Sequence, residues 1–336
     1  MMKRSGGCEK RGGRKQASEA MPQLEDNFIE VVSDHTAGDP AREDVVWTYL
    51  SSTEISQQLA RLGTPVSPDT VRGMLDQFGF HRRQAEKTKT KEDVEFRDEQ
   101  YENIARLKEE YLDSPNPIVS MDTKKKEFLG DLFRDGQAHS TGPNVVLDHD
   151  FPSYAEGKVI PHGLYDLRRN IGHITLGTSH DTSQFACDSF RIWWRRHGAA
   201  AWPRANSILL LCDGGGSNNC RHYIFKEDLQ RLVNRIGIPI RVAHYPTHCS
   251  KYNPIEHRLF PHVARAWKGL IFRTMQIVTD GLRRVWTSTG LNVTYTVLNK
   301  AYALKRQASE RFLESFPIQF EDYLPHWNYS AIPCEY

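Results

Sequence analysis

Two apolar runs in this chain end on an aspartate, and a third segment opens on a glutamate. Ile118-Val119-Ser120-Met121-Asp122 and Ser207-Ile208-Leu209-Leu210-Leu211-Cys212-Asp213 read as strands, each carrying its acid at the C-terminal end. Ser250-Lys251-Tyr252-Asn253-Pro254-Ile255-Glu256-His257-Arg258 reads as the start of a helix. Acids on separate elements that converge at a sheet edge make a site for hard divalent cations, magnesium or manganese. Such ions take a few carboxylates and complete their shells with water and phosphate oxygens. Two of them, about 3.5–4 Å apart, activate the attacking oxygen and stabilise the leaving one when a phosphodiester bond is cut or joined. Crowded carboxylates repel one another until cations relieve them. Asp122, Asp213 and Glu256 are the candidate ligands. Strand alternation puts Lys124 on the face of Asp122, where it can approach a DNA phosphate. Lys251, in the Glu256 segment, is a second candidate phosphate contact.

Each acid also has a simpler role open to it. Asp213 precedes Gly214-Gly215-Gly216 and can form a turn, and Asp122 can cap a strand end. Asn253-x-x-Glu256, with Pro254 at the first helical position, matches a capping box. The run Gly214-Gly215-Gly216-Ser217-Asn218 resembles a phosphate-cradling turn but has neither glycine spacing of a nucleotide site. It is read instead as a turn that lets a DNA backbone approach Asp213. Asp181, beside His180, opens a helix in a capping-type pattern and is read as structural.

The elements that must position these acids follow from pattern. Residues 1–40 are polar, locally basic and glycine-rich near Gly12-Gly13, and are expected to be a disordered arm. Residues 41–83 are expected to form an all-α helix-turn-helix domain. Ser51-Ser52-Thr53-Glu54 offers a capping box ahead of Ile55, Leu59 and Leu62, with a stop at Gly63. Ser67-Pro68-Asp69 opens a second helix with Val71, Met74, Leu75 and Phe78 on its apolar side and Gly79 at its end. That second helix would read the major groove, with Thr70 and Arg72 on its polar side and Arg82 and Arg83 beyond it. Residues 84–116 are charged and helix-favouring and are expected to be a linker helix. Residues 117–336 hold early consecutive strands, with Ile118–Asp122 and Glu127–Leu129 as arms of a meander, followed by alternating helices and strands. That order suits a mixed α/β sheet with helices on both faces, compatible with a ribonuclease-H-like fold.

Composition sets the bounds. The chain has 336 residues, 39% hydrophobic and 26% charged, with a net charge of +2. That reads as globular, with room for two or three domains, and neither requires nor excludes nucleic acid. The six cysteines form no C-x-x-C pair, which argues against a disulfide framework and fits a reducing, cytoplasmic setting. Cys220, His222, His244, His248 and Cys249 match no usual zinc spacing. No apolar run reaches the length of a membrane span, so no membrane partner is expected.

Several ordered segments resemble a known family. They are Val119 through Glu127, Gly163 through Leu167, His180-Asp181-Thr182, Asp213 through Asn218, Ser250 through Phe260, and Trp327-Asn328-Tyr329. They look like the ISAzo-type insertion-sequence DDE transposases, from about Gly12 to Tyr329. The resemblance implies a ribonuclease-H-like core with Asp122, Asp213 and Glu256 as its metal-binding triad, and Mg2+ (or Mn2+) rather than a small-molecule cofactor. It implies nicking at element ends, followed by attack of the freed 3′-hydroxyl on target DNA. The implied partners are double-stranded DNA and further copies of the chain, in a bacterial, nucleoid-associated setting. Two departures stand out. Similar proteins carry a further helix-turn-helix ahead of the glycine-rich stretch at which this chain starts, and Pro261 falls about two turns into the Glu256 helix. Together they define the alternative expectation, a truncated or inactive relic that binds DNA without cutting it.

Overall fold

The computed structural model describes residues 21–33, 35–39, 42–82, 95–215, 220–247, 249 and 252–334. The chain divides into two compact units, Met1–Lys89 and Thr90–Tyr336.

The first unit contains α1 (Leu24–Ser33), β1 (Thr36–Asp39), β2 (Arg42–Thr48), α2 (Ser52–Arg61) and α3 (Pro68–Gln77). Leu24, Phe28, Val31 and Val32 recur at helical spacing and bury against Ile55, Leu59 and Val71. The capping box of α2 forms as the sequence predicts. Ser51 Oγ accepts from the Glu54 N–H at 3.3 Å, and the Glu54 carboxylate accepts from the Ser51 N–H at 2.7 Å. Ser67 caps α3, with Pro68 in its first turn. Gly63 and Gly79 follow the two helices with φ of +85° and +80°, a conformation that favours glycine.

Two expectations need correction here. The unit is not all-α, because β1 and β2 pair antiparallel; Val45-Val46-Trp47-Thr48 are β-branched or aromatic residues that favour a strand. The stretch expected to be a disordered arm contains the helix α1, and its residues 1–20 lie outside the described residues.

The second unit begins with α4 (Arg97–Leu112), the helix expected as a linker. Its Ile104, Leu107 and Tyr111 bury against Ile118, Leu209, Leu211, Ala243 and Tyr245, so it covers the sheet. Then follow β3 (Ile118–Thr123), β4 (Glu127–Leu129), β5 (Gly157–Asp166), β6 (Ile171–Gly177), α5 (Ser183–Trp193), β7 (Ile208–Asp213) and α6 (Tyr223–Ile236). The chain continues through β8 (Ile240–Tyr245), α7 (Pro254–Arg258), α8 (Phe260–Trp267), α9 (Met275–Arg283), β9 (Asn292–Leu298), α10 (Glu310–Ser315), β10 (Gln319–Phe320) and β11 (Asn328–Ala331).

The sheet order is β10-β11-β8-β7-β3-β5-β6-β9. Three strands, β3, β7 and β8, lie side by side and parallel, while β3, β5 and β6 run antiparallel in turn. The meander differs from expectation in one arm: β4 pairs with β5, not with β3. Helices cover both faces, as expected of a mixed sheet. On one face α5 and α6 set Phe190, Trp193, Phe225 and Leu229 against Val119, Met121, Leu210 and Cys212. On the other, α7, α8 and the Leu259 between them set Ile255, Leu259, Phe260 and Val263 against Val159, Tyr165 and Ile174.

Candidate active site

Alternation decides which way the strand-end acids face. On β3, Val119 and Met121 belong to the core under α5 and α6, while Ile118 packs under α4. Asp122 therefore shares the face of Ile118 and Ser120. On β7, Leu210 and Cys212 point to the first core and Leu209 and Leu211 to the second, so Asp213 shares the second face. The parallel register runs from Ile118↔Leu209 to Met121↔Cys212. Its next step sets Asp122 beside Asp213 at the ends of neighbouring strands, on one face of the sheet.

Glu256 reaches the same place through α7. Asn253 precedes that helix but makes no side-chain cap. Its amide turns inward instead, accepting a hydrogen bond from the Ser120 hydroxyl and donating to the Met121 carbonyl at 3.5 Å. Ser120 Oγ also accepts from the Ile255 N–H at 3.2 Å. The apparent capping box is thus a tether that ties the helix start to β3, two residues before Asp122. Gly163, the cross-strand partner of Asp122, makes the approach possible. A Cβ there would lie 2.6 Å from the Phe260 ring and 2.8 Å from the Ile255 side chain.

The acids feel one another. Asp122 is 9% exposed and is pushed up to about 8, first by burial, then by the charge of Asp213, with Glu256 adding both its charge and a hydrogen bond. The Thr123 N–H, donating to Asp122 Oδ1 at 2.7 Å, opposes that shift. Asp213 is pushed up to about 6 by burial and by the charges of Glu256 and Asp181, against a hydrogen bond from the Gly215 backbone. Among the described residues, no group of three or more His, Cys, Asp or Glu side chains is gathered closely enough to hold a metal ion by itself. The donor chemistry nevertheless fits a hard divalent cation, which needs few protein ligands. The acids supply oxygen only, and a cation would offset the burial and the carboxylate repulsion that together push Asp122 up.

Sequence reasoning missed the residues that hold these acids. His244, on β8, is fully buried and pushed down to about 4 by burial, hence neutral. Its Nδ1 lies 3.0 Å from the Asp213 carbonyl and its Nε2 2.9 Å from the Tyr329 hydroxyl. The carbonyl can only accept, so Nδ1 carries the proton and Tyr329 donates to Nε2. The Trp327-Asn328-Tyr329 motif thus supports β7 from β11, two strands away. The motif itself was visible in sequence, but its partner was not. Of the candidate zinc residues, His244 is taken up by these two hydrogen bonds, and the buried Cys220 thiol lies 4.0 Å from the Gly214 carbonyl.

The remaining candidates vary in placement. Lys124 is ion-paired with Glu127 at 2.6 Å and lies over the Trp267 ring, at the wall of a cavity shared with Lys125 and Lys126. Arg72 is exposed and pairs with Asp69 one turn away. The Thr70 hydroxyl lies 3.0 Å from Ser67 Oγ at the cap of α3. Arg82 is exposed, while Arg83 and Lys251 lie outside the described residues, as do Gly216, Ser217 and Asn218.

Pro261 does not sit inside the Glu256 helix. That helix ends at Arg258, Leu259 breaks the backbone with φ −122° and ψ −58°, and α8 starts at Phe260. Pro261 stands in the first turn of α8, where a missing N–H is tolerated.

A family model described as a Rhodopirellula transposase DDE domain matches residues 27–333. Among solved structures, the mariner Mos1 paired-end complex with Mg is similar at 14% identity and TM-score 0.45, covering 82% of this chain and 72% of that one. A pre-cleavage Mos1 transpososome is similar at 13% identity and TM-score 0.44, with the same coverage. The Mos1 complex with Mn gives 14% identity and TM-score 0.42, covering 83% and 72%. At this level of identity and superposition the likeness carries no functional weight. A search of the curated proteins by sequence matches none of them.

Proposed function

The chain belongs to the Rhodopirellula transposase DDE domain family, and from that premise we propose that it binds the ends of an insertion sequence and catalyses metal-dependent DNA strand cleavage and strand transfer. One observation carries the proposal: Asp122 and Asp213 share a face at the ends of neighbouring parallel strands, with the Glu256 helix tethered beside them by Asn253 and Ser120. The strand order, antiparallel through β3, β5 and β6 and parallel through β3, β7 and β8, supports reading the core as ribonuclease-H-like.

Asp122, Asp213 and Glu256 would hold one or two Mg2+ or Mn2+ ions. Bound there, divalent cations activate the attacking oxygen and stabilise the leaving oxygen of an in-line displacement at phosphorus. The chain's own part is positional. The Thr123 N–H holds one oxygen of Asp122, the Gly215 backbone holds Asp213, and the Ser120–Asn253 tether holds Glu256. Such supports keep reacting groups aligned, which is where most of the barrier reduction in phosphoryl transfer arises. In nicking, water adds to phosphorus as the 3′-oxygen leaves with a proton. In joining, that 3′-hydroxyl adds to a target phosphorus and displaces a target 3′-oxygen. Lys124, Lys125 and Lys126, with Lys251, would meet phosphates near the acids. Thr70, Arg72, Arg82 and Arg83 would contact the element ends from the first unit, read as a helix-turn-helix. Two ends must be brought together, so the working form is an oligomer on DNA.

Asp213→Asn tests the proposal. Cleavage of element-end DNA in Mg2+ or Mn2+ should fall by at least about 100-fold, a loss typical of removing one catalytic charge partner, while DNA binding persists. Wild-type protein that binds such DNA but cuts none in either metal would favour the relic instead.

A further inference from the structure

Asp181 stands directly before α5 yet does not cap it. Thr182 does, accepting from the Phe185 N–H at 3.2 Å. The Asp181 carboxylate is engaged elsewhere: its Oδ1 accepts from the Thr123 hydroxyl at 3.2 Å. That hydroxyl also lies 3.0 Å from His162 Nδ1, on the neighbouring strand β5, where His162 is the register partner of Thr123.

The proton positions in this chain follow from counting. A hydroxyl has one proton and an ionised carboxylate has none. The Thr123 proton therefore goes to Asp181, and the Thr123 oxygen accepts from His162 Nδ1–H. His162 is fully buried and held neutral by that burial. Its remaining nitrogen, Nε2, is buried without a hydrogen-bond partner among the described residues. In this tautomer Nε2 is a bare lone pair, which costs less to bury than an unpaired N–H. The relay thus runs in one direction, from His162 through Thr123 to Asp181.

Thr123 is the last residue of β3, where a strand end would otherwise be free to fray. Its backbone N–H holds Asp122 Oδ1 at 2.7 Å. We propose that Asp181 is a positioning residue of the phosphoryl-transfer site, fixing through the Thr123 hydroxyl the peptide that aims the Asp122 carboxylate. This rests on the function proposed above. Asp181 also lies within electrostatic range of Asp213.

The test uses the full chain and the variants Asp181→Ala, Asp181→Asn, Thr123→Val and Thr123→Ser, each checked by its melting curve. Amide exchange at Thr123, followed by heteronuclear NMR on metal-free protein, reads the relay without reference to activity. Calorimetric Mn2+ affinity and Mn2+-dependent DNA cleavage read its consequence. Asp181→Ala and Thr123→Val should each speed exchange at Thr123 and weaken Mn2+ binding and cleavage by about 10–100-fold, the usual effect of losing a support behind a ligand. The double variant should be no worse than the worse single one, because both changes break one chain. Asp181→Asn keeps an acceptor and Thr123→Ser keeps the hydroxyl, so both should stay near wild type. Unchanged exchange in Asp181→Ala overturns the proposal, as does full additivity in the double variant. An Asp181→Asn as damaged as Asp181→Ala also overturns it, since charge would then matter and not the hydrogen bond. If exchange responds as expected but wild type neither binds Mn2+ nor cuts DNA, the phosphoryl-transfer function fails, and the positioning role fails with it.

Discussion

Asp122 is the acid most penalised by its surroundings, and the sign of that penalty gives a pH dependence. An aspartate in an unfolded chain titrates near about 3.9, while burial and the charge of Asp213 push Asp122 up to about 8 in the fold. Between those values the unfolded chain binds fewer protons than the native one. Stability therefore falls as pH rises through that window. Asp213, raised to about 6, adds a smaller loss between about 4 and about 6. Asp122→Asn cannot ionise. In metal-free protein its melting temperature should hold up better than wild type's as pH rises from about 5 to about 8, by about 2–4 °C for each kcal/mol removed. Adding Mn2+ at the upper pH should raise the wild-type melting temperature and leave Asp122→Asn nearly unmoved. Parallel melting-temperature curves for the two proteins over that range would contradict the electrostatic account.

At the scale of elements, the position of α7 depends on a tether and a gap. Asn253 is fully buried and bonded to Ser120. Asn253→Ala leaves a buried hydroxyl without that partner, at a cost of about 1–3 kcal/mol. Gly163→Ala forces a methyl to within 2.6 Å of the Phe260 ring, an overpacking that costs about 1–3 kcal/mol. Both changes should move Glu256 away from Asp122. Each should lower metal-dependent cleavage far more than DNA binding, measured by gel-based cleavage against fluorescence anisotropy; equal losses in both assays would place the tether outside the site. The elements themselves were largely legible. Apolar runs located β3 and β7 with their terminal acids, and the caps of α2 and α3 were visible locally; the face that Asp122 and Asp213 share came from the packing of the two cores. What could not be read is long-range. Asn253 followed by Pro254 and Glu256 has the local signature of a cap, and its true partner lies 133 residues away. Pro261 looked like a helix breaker, because the renewed start at Phe260 depends on Leu259 and Phe260 packing onto β5 and β6. Asp181 was read as part of a cap for the same reason, since Thr123 lies 58 residues from it. The strands β9 and β11 went unread although Asn292–Leu298 has strand-favouring residues.

At the scale of the whole molecule, the two compact units have separate cores, and their contributions should be separable by mutation. Val71 is fully buried in the first unit, among Leu24, Phe28, Ile55 and Leu59. Val71→Ala removes packed atoms there, at a cost of about 1–3 kcal/mol. A unit of that size has little stability to spare. Differential scanning calorimetry should show one transition moving down while the transition of the second unit stays. DNA binding should fall with the first, and Mn2+ uptake should not. Arg72→Ala probes the same unit without unfolding it, because its side chain is exposed and its ion pair with Asp69 is also exposed, where such pairs contribute little. If Arg72 contacts a phosphate, the variant should bind element-end DNA more weakly and show a shallower dependence on salt, by about one counterion. The net charge of +2 is too small to hold DNA through the overall field, so the proposed affinity would have to come from local basic groups such as Arg72. Unchanged affinity and salt slope in Arg72→Ala would remove α3 from the proposed DNA-reading surface, while Asp122, Asp213 and Glu256 in the second unit would be judged by their own Mn2+ binding.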